Sequence, residues 1–188
     1  MADNSEWGPL AALIGEWEGS EGVDFAYSNA NAGTGETKFR EQMSMKPFGP
    51  VENGKQVLYG LDYRTAAWRT EIEEENPFHT EVGYWLWDAA DRQGMRCFMV
   101  PRGSVLIAGG TVNPSDTTFT MAAECGSEIY GILSNPFLAE KARTAQYSCT
   151  ITVHADGSWS YDETSTIEHA AHGDTIAHTD RNTMRRVG

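Results

Sequence analysis

The segment Leu13-Ile14-Gly15-Glu16-Trp17-Glu18-Gly19 carries the most specific fold signal of this sequence. Just before it, Leu10, Leu13 and Ile14 share one face of a short predicted helix that starts at Trp7. Glycine permits a sharp turn out of that helix and into a first strand. We therefore expect a helix that leads into a barrel strand, with the indole of Trp17 buried at the closed end of the barrel.

Strand candidates follow this segment at the spacing of a meandering all-β domain, separated by turn signals such as Ala155-Asp156-Gly157. The ten candidates are Glu16 to Tyr27, Thr37 to Phe48, Gln56 to Tyr63, His79 to Trp87, Met95 to Val100, Ser104 to Val112, Thr117 to Ala123, Thr144 to His154, Ser158 to His169 and Thr175 to Val187. The pattern predicts an all-β fold, an antiparallel up-and-down β-barrel of about ten strands. The sequence also predicts a second short helix over Ile129 to Ala142, with an interruption at Pro136. Neither a repeat nor a composition break divides residues 1–188, so we expect one domain.

The charge of the chain excludes several classes of partner. Its 188 residues include 14 Lys plus Arg against 27 Asp plus Glu, a formal net charge of −13. So acidic a protein repels phosphate backbones and anionic lipids. The apolar runs are shorter than the roughly 20 residues that cross a bilayer, and no leader pattern precedes Trp7. Three cysteines without a CxxC pair suit a reducing compartment. We expect a cytoplasmic protein that binds neither nucleic acid nor membrane, and we leave a homodimer open.

Alternation along the strands indicates what the barrel encloses. Phe39, Met43 and Met45 share one face, on which Glu41 is an exception. Val57, Tyr59, Leu61 and Tyr63 share a face in the same way. A barrel of about ten antiparallel strands is wide enough to leave a cavity. The sequence therefore predicts a protein that binds a small molecule.

A second motif, Asn76-Pro77-Phe78-His79-Thr80-Glu81-Val82-Gly83-Tyr84, opens one strand with a histidine. Because side chains alternate along a strand, His79 and Glu81 lie on the same face. Nucleotide and hydrolase motifs are missing: neither GxGxxG nor GxSxG occurs, and Gly49 to Lys55 reads as a hairpin turn.

These motifs together resemble the nitrobindin family, heme-binding β-barrels with a topology like that of fatty-acid-binding proteins. The opening signature is matched by Leu13, Gly15, Trp17 and Gly19, with Glu21 in the place of its last glycine. The family's Pro-x-His-x-Glu-x-Gly-Tyr strand is matched in full by Pro77, His79, Glu81, Gly83 and Tyr84. Gly103 to Gly110 resembles the hairpin that follows, and Ala177 to Val187 resembles the C-terminal strand. The resemblance spans nearly the whole chain.

The resemblance implies a cavity that binds a b-type heme, with His178 as the axial ligand of the iron and one iron face open. It also implies that His79 lies beside the cofactor without ligating iron, that nitric oxide binds, and that peroxynitrite is isomerised to nitrate. An axial imidazole needs an acceptor for its second ring nitrogen. Asp174, Thr175, Thr179 and Asp180 are the sequence candidates for that acceptor.

Other interpretations of the same residues stay open at this point. His178 fits equally a histidine hydrogen-bonded to Asp180 in an ordinary turn, and His79 fits a structural pair with Glu81. The barrel fits a heme-free carrier of an apolar molecule such as a fatty acid, with the apolar segment Tyr130 to Leu138 as a lid. It also fits a barrel filled by its own aromatic and methionine side chains.

Overall fold

Eleven strands form the chain in the computed structural model, which describes residues 4–28, 30–72, 75–171 and 173–187. The strands are β1 (Gly15–Ser28), β2 (Gly33–Asn53), β3 (Gln56–Arg69), β4 (His79–Asp88), β5 (Gln93–Val100), β6 (Ser104–Thr111), β7 (Thr118–Cys125), β8 (Gly131–Ser134), β9 (Ala142–Val153), β10 (Trp159–His169) and β11 (Thr175–Arg186). They close into a barrel in the order β1-β11-β10-β9-β7-β8-β6-β5-β4-β3-β2. The predicted β-barrel is confirmed, and each of the ten predicted strands overlaps an observed one.

The eleventh strand, β8, corrects the prediction of a helix across Ile129 to Ala142. Its residues Gly131–Ser134 pair antiparallel with β6 and parallel with β7, so the barrel is mixed rather than purely antiparallel. Ile132 is buried and Leu133 is exposed, which is the period-2 pattern of a strand. Only Pro136–Lys141 is helical, beginning after Asn135, whose side chain accepts from the Leu138 amide at 3.0 Å. Because β8 is part of the wall, this segment is not a lid.

None of the helices in the described ranges is long and apolar enough to cross a membrane.

A 3₁₀ helix over Ser5–Leu13 closes one end of the barrel, where the sequence predicts a helix. Its Leu10 and Leu13 are fully buried, and the Trp7 indole donates a hydrogen bond to the Gly60 carbonyl at 3.0 Å. Gly15 then has a φ of +143°, a conformation that favours glycine, and the chain turns into β1. Trp17 is 1% exposed and its indole donates to the Leu13 carbonyl at 2.7 Å. The predicted burial of Trp17 at the closed end is confirmed.

An apolar core fills the half of the barrel next to the 3₁₀ helix. Its largest fully buried apolar side chains come from the 3₁₀ helix and from strands β1 to β4, β7 and β9 to β11: Leu10, Leu13, Trp17, Met45, Leu61, Trp85, Trp87, Met121, Ile151, Trp159 and Met184. The rings of Trp17 and Trp159 meet edge to face at 5.9 Å. The large side chains of this core do not extend to the opposite end of the barrel, called the far end below.

Replacing Trp17 by Ala tests this packing. We expect a loss of about 3 to 5 kcal/mol in the free energy of unfolding, because a buried indole is replaced by a cavity. Urea melts monitored by circular dichroism measure the loss. Trp68→Ala is the matched control, since Trp68 lies half-buried on β3 beneath the Arg40 guanidinium and should cost on the order of 1 kcal/mol. Equal losses in the two variants would contradict the placement of Trp17.

Candidate site at the far end of the barrel

A belt of polar side chains crosses the barrel interior immediately beyond the apolar core. We call Glu41, Tyr63, Thr65, Glu81, Arg96, Tyr147, Tyr161, Glu163 and Asn182 the polar belt, and all of them are buried. Each continues the inward face of its strand, as Glu41 does two residues from Met43. The polar belt places charge at a depth where the strand patterns predict mainly apolar side chains.

Arg96 of β5 is the centre of the polar belt. Its guanidinium donates to Glu81 at 2.7 Å and to Tyr63 at 3.0 Å, and also pairs with Glu163 and Tyr147. It lies 4.5 Å from the ring centroid of Phe98. Burial opposes ionisation of Glu81, but the charge of Arg96 and the hydrogen bond from His79 outweigh it and lower the pKa of Glu81 to about 2.

Glu41 of β2 occupies a separate part of the polar belt. Its carboxyl oxygens accept hydrogen bonds from Tyr161 at 2.7 Å and from Asn182 at 3.3 Å, and the Thr65 hydroxyl bonds the other oxygen. Burial nevertheless raises the pKa of Glu41 above its usual value. The interior thus holds Glu41, which burial drives toward its neutral form, beside Glu81, which stays charged.

His79 lies one inward position beyond Glu81 on β4. Its Nε2 donates to Glu81 Oε1 at 3.0 Å, and 43% of its side chain is exposed. Burial alone would lower the pKa of His79, but the hydrogen bond and charge of Glu81 outweigh it and raise that pKa. The His79 imidazole, whose protonated form Glu81 favours, therefore lies between solvent at the far end and the ion pairs of the polar belt.

His178 lies one inward position beyond Asp180 on β11. Its Nε2 donates to Asp24 Oδ1 at 2.6 Å, and 34% of its side chain is exposed. The sequence places the acceptor within residues 174 to 180, and that expectation is wrong. The acceptor comes from β1, which pairs with β11 and brings Asp24 alongside although 154 positions separate the two residues.

Three acidic residues occupy paired positions on three consecutive strands of the wall, and we call them the acidic row. Asp24 of β1 faces Asp180 of β11, and Asp180 faces Glu163 of β10. Burial raises the pKa of Asp180 well above its usual range, and the charges of Glu163, Glu81 and Asp24 add to that effect. His178 thus stands beside an acidic surface.

The layer beyond the polar belt contains both histidines and several apolar side chains. Phe39 lies two residues from Glu41, Ala67 two from Thr65 and Phe98 two from Arg96, and all three are buried. The Phe39 and Phe78 rings meet edge to face at 6.1 Å. The far end therefore offers two solvent-accessible imidazoles next to an apolar and aromatic wall.

Comparisons with known proteins agree with this architecture. Residues 6–186 match the family model of the THAP4-like, heme-binding beta-barrel domain. The chain belongs to this family. Among solved structures, the crystal structure of Rv2717c from M. tuberculosis is similar in fold, with a TM-score of 0.64, 15% identity and 95% of each chain covered. No curated protein matches the sequence. The nitrobindin resemblance is confirmed, and heme binding is supported at the level of the family.

Sequence reasoning found some of these site residues and missed others. It identified His79 with Glu81, and His178, but not Arg96, Glu163 or Asp24 as part of the interior. Arg96 did leave a signal, because a charged residue stands on the same face as Phe98. Asp24 left none, since its role depends on the pairing of β1 with β11.

Glu81→Gln tests the central ion pairs. The pKa of Glu81 is about 2 against an ordinary value of 4.5, so its charge stabilises the fold fully above pH 4.5 and progressively less as pH falls toward 2. We expect Glu81→Gln to lose about 3 kcal/mol at pH 7, because one partner of a buried pair is removed. Guanidinium melts from pH 7 to pH 3 should show the gap to wild type shrinking. The exposed Glu52→Gln should leave stability unchanged, and a constant Glu81→Gln gap would contradict the assignment.

Proposed function

We propose that the far end of the barrel binds a b-type heme, with His178 as the axial ligand of the iron. The observation that carries the proposal is the His178 imidazole, which is accessible from solvent while its Nε2 is held by Asp24 at 2.6 Å. Metal-ligating histidines commonly donate one ring nitrogen to a carboxylate, which fixes the ring and increases the basicity of the other nitrogen. This donor set would fit a heme iron, since Asp24 takes up one ring nitrogen of His178 and leaves the other for the metal.

The residues around His178 have separate roles in this proposal. Asp24 orients the imidazole and keeps the proton on Nε2. Phe39, Ala67 and Phe98 are buried in the layer of the two histidines and would supply the apolar and aromatic side chains next to a porphyrin. The polar belt limits how deeply a ligand enters, because its ion pairs fill the middle of the barrel.

When bound, the heme supplies an iron with one open coordination position, which is the chemistry of nitric oxide binding. His79, held in place by Glu81, would provide an N–H donor near an anionic ligand at the far end. Nitric oxide binding and peroxynitrite isomerisation stay predictions of the family resemblance. A cytoplasmic location stays a prediction from the cysteine pattern and composition, and a homodimer stays open.

A heme-free carrier of an apolar molecule is the second interpretation, and the polar belt argues against it. An aliphatic chain that entered the barrel would have to lie against Arg96 and its carboxylate partners, whose charges are costly to separate or to leave unpaired. The third interpretation, a filled barrel, describes the closed half and the polar belt but leaves the histidine layer without a role.

A hemin titration of wild type and His178→Leu tests the proposal. We expect a 1:1 complex with a Soret band in the wild type and at least a tenfold weaker complex in His178→Leu, because the axial nitrogen is lost. Nitric oxide added to the reduced complex should shift the wild-type Soret band.

His79→Leu is the matched control, since it removes an imidazole from the same layer and should leave hemin affinity within about threefold of wild type. Equal binding by wild type and His178→Leu would remove His178 as the ligand. Diffuse, non-stoichiometric absorption in the wild type would overturn heme binding, and extraction of a bound lipid would then favour the carrier.

A further inference from the structure

The acidic row contains one carboxyl without a visible counter-charge. Like charges directly opposite each other on adjacent strands destabilise a sheet. Glu163 is paired with Arg96, and Asp24 accepts a hydrogen bond from His178. Asp180 stands between Asp24 and Glu163, and within the described parts of the chain its carboxyl meets no hydrogen-bond donor. A half-buried carboxyl in this position lacks a positive partner.

The side chains that surround this unmatched carboxyl have the chemistry of metal ligands. One imidazole nitrogen of His178 and one carboxylate oxygen each of Asp24 and Asp180 all lie within 4.8 Å of one another. An ion equidistant from three atoms at that separation would be about 2.8 Å from each, so side-chain shifts of less than about 1 Å give the 2.0 to 2.2 Å of transition-metal bonds.

We propose that Asp24, His178 and Asp180 bind a divalent first-row transition ion such as Zn²⁺ when heme is absent. Two carboxylates cancel the charge of the ion, and the ion removes the repulsion between Asp24 and Asp180. The imidazole selects a transition ion over Mg²⁺ and Ca²⁺, which prefer oxygen ligands. Three protein ligands leave a further position for water or a small anion.

The ion site stands on these three residues and does not depend on the proposed heme. The ion and the proposed heme would both bind to His178. To bind the ion, His178 either releases the proton on Nε2 or presents its other ring nitrogen to the metal. One chain therefore holds either the ion or the heme.

Metal binding by tag-free, heme-free protein tests the proposal. Zn²⁺ is titrated in competition with a chromophoric chelator, and Co²⁺ is added separately because its visible absorption reports a nitrogen and oxygen ligand set. We expect one Zn²⁺ per chain, at least a tenfold loss of affinity in Asp180→Asn and in His178→Leu, and no competition from millimolar Mg²⁺. Asp62→Asn is the control, since it removes an exposed carboxylate on β3 and should bind Zn²⁺ as wild type does.

Thermal melts separate loss of ligand from loss of fold. Asp180→Asn keeps the shape of the side chain but cannot bind an ion as a carboxylate, so it should melt close to the wild-type temperature in chelator and gain nothing from Zn²⁺. Wild type should gain stability from Zn²⁺. Absence of Zn²⁺ binding, or equal binding by wild type and Asp180→Asn, would overturn the ion site. Hemin titration of Asp180→Asn measures heme binding independently of Zn²⁺ binding, since that variant keeps both His178 and Asp24.

Discussion

The buried guanidinium of Arg96 is the interaction on which the interior of this barrel depends. It joins Glu81 of β4 and Glu163 of β10, on well-separated parts of the wall, and lies among the rings of Tyr63, Trp85, Phe98 and Tyr147. Buried charges are tolerated only when they are paired and hydrogen-bonded, so each partner must keep its position for the others to stay ionised. The polar belt thus divides the interior into a packed apolar half and a histidine layer.

This division relates the fold to the site. The 3₁₀ helix and the tryptophans close one end, so the opposite end is where solvent reaches the interior. His79 and His178 each lie one inward position beyond a carboxylate residue of their own strand, Glu81 and Asp180. Their hydrogen bonds to Glu81 and Asp24 fix both rings, so the far end is organised before any ligand arrives.

Local patterns in the sequence predicted the wall of the barrel far better than its contents. Strand alternation and turn residues are short-range signals, and they located ten strands and the burial of Trp17. The helix predicted around Leu133 was wrong because an apolar run of this length fits a strand as well as a helix. The Asp24 contact with His178 and the acidic row arise only when β1 meets β11, and no local pattern encodes that register.

The pairing of β1 with β11 also constrains how the molecule is made. These two strands lie near opposite ends of the chain, yet their contact completes the wall. During translation, β1 can pair with β2 on one side, but its other edge has no partner strand until β11 has been synthesised. Contacts of such long sequence separation slow folding and leave an exposed edge to other chains in the meantime. The ligand environment of His178 is consequently among the last parts of the molecule to assemble.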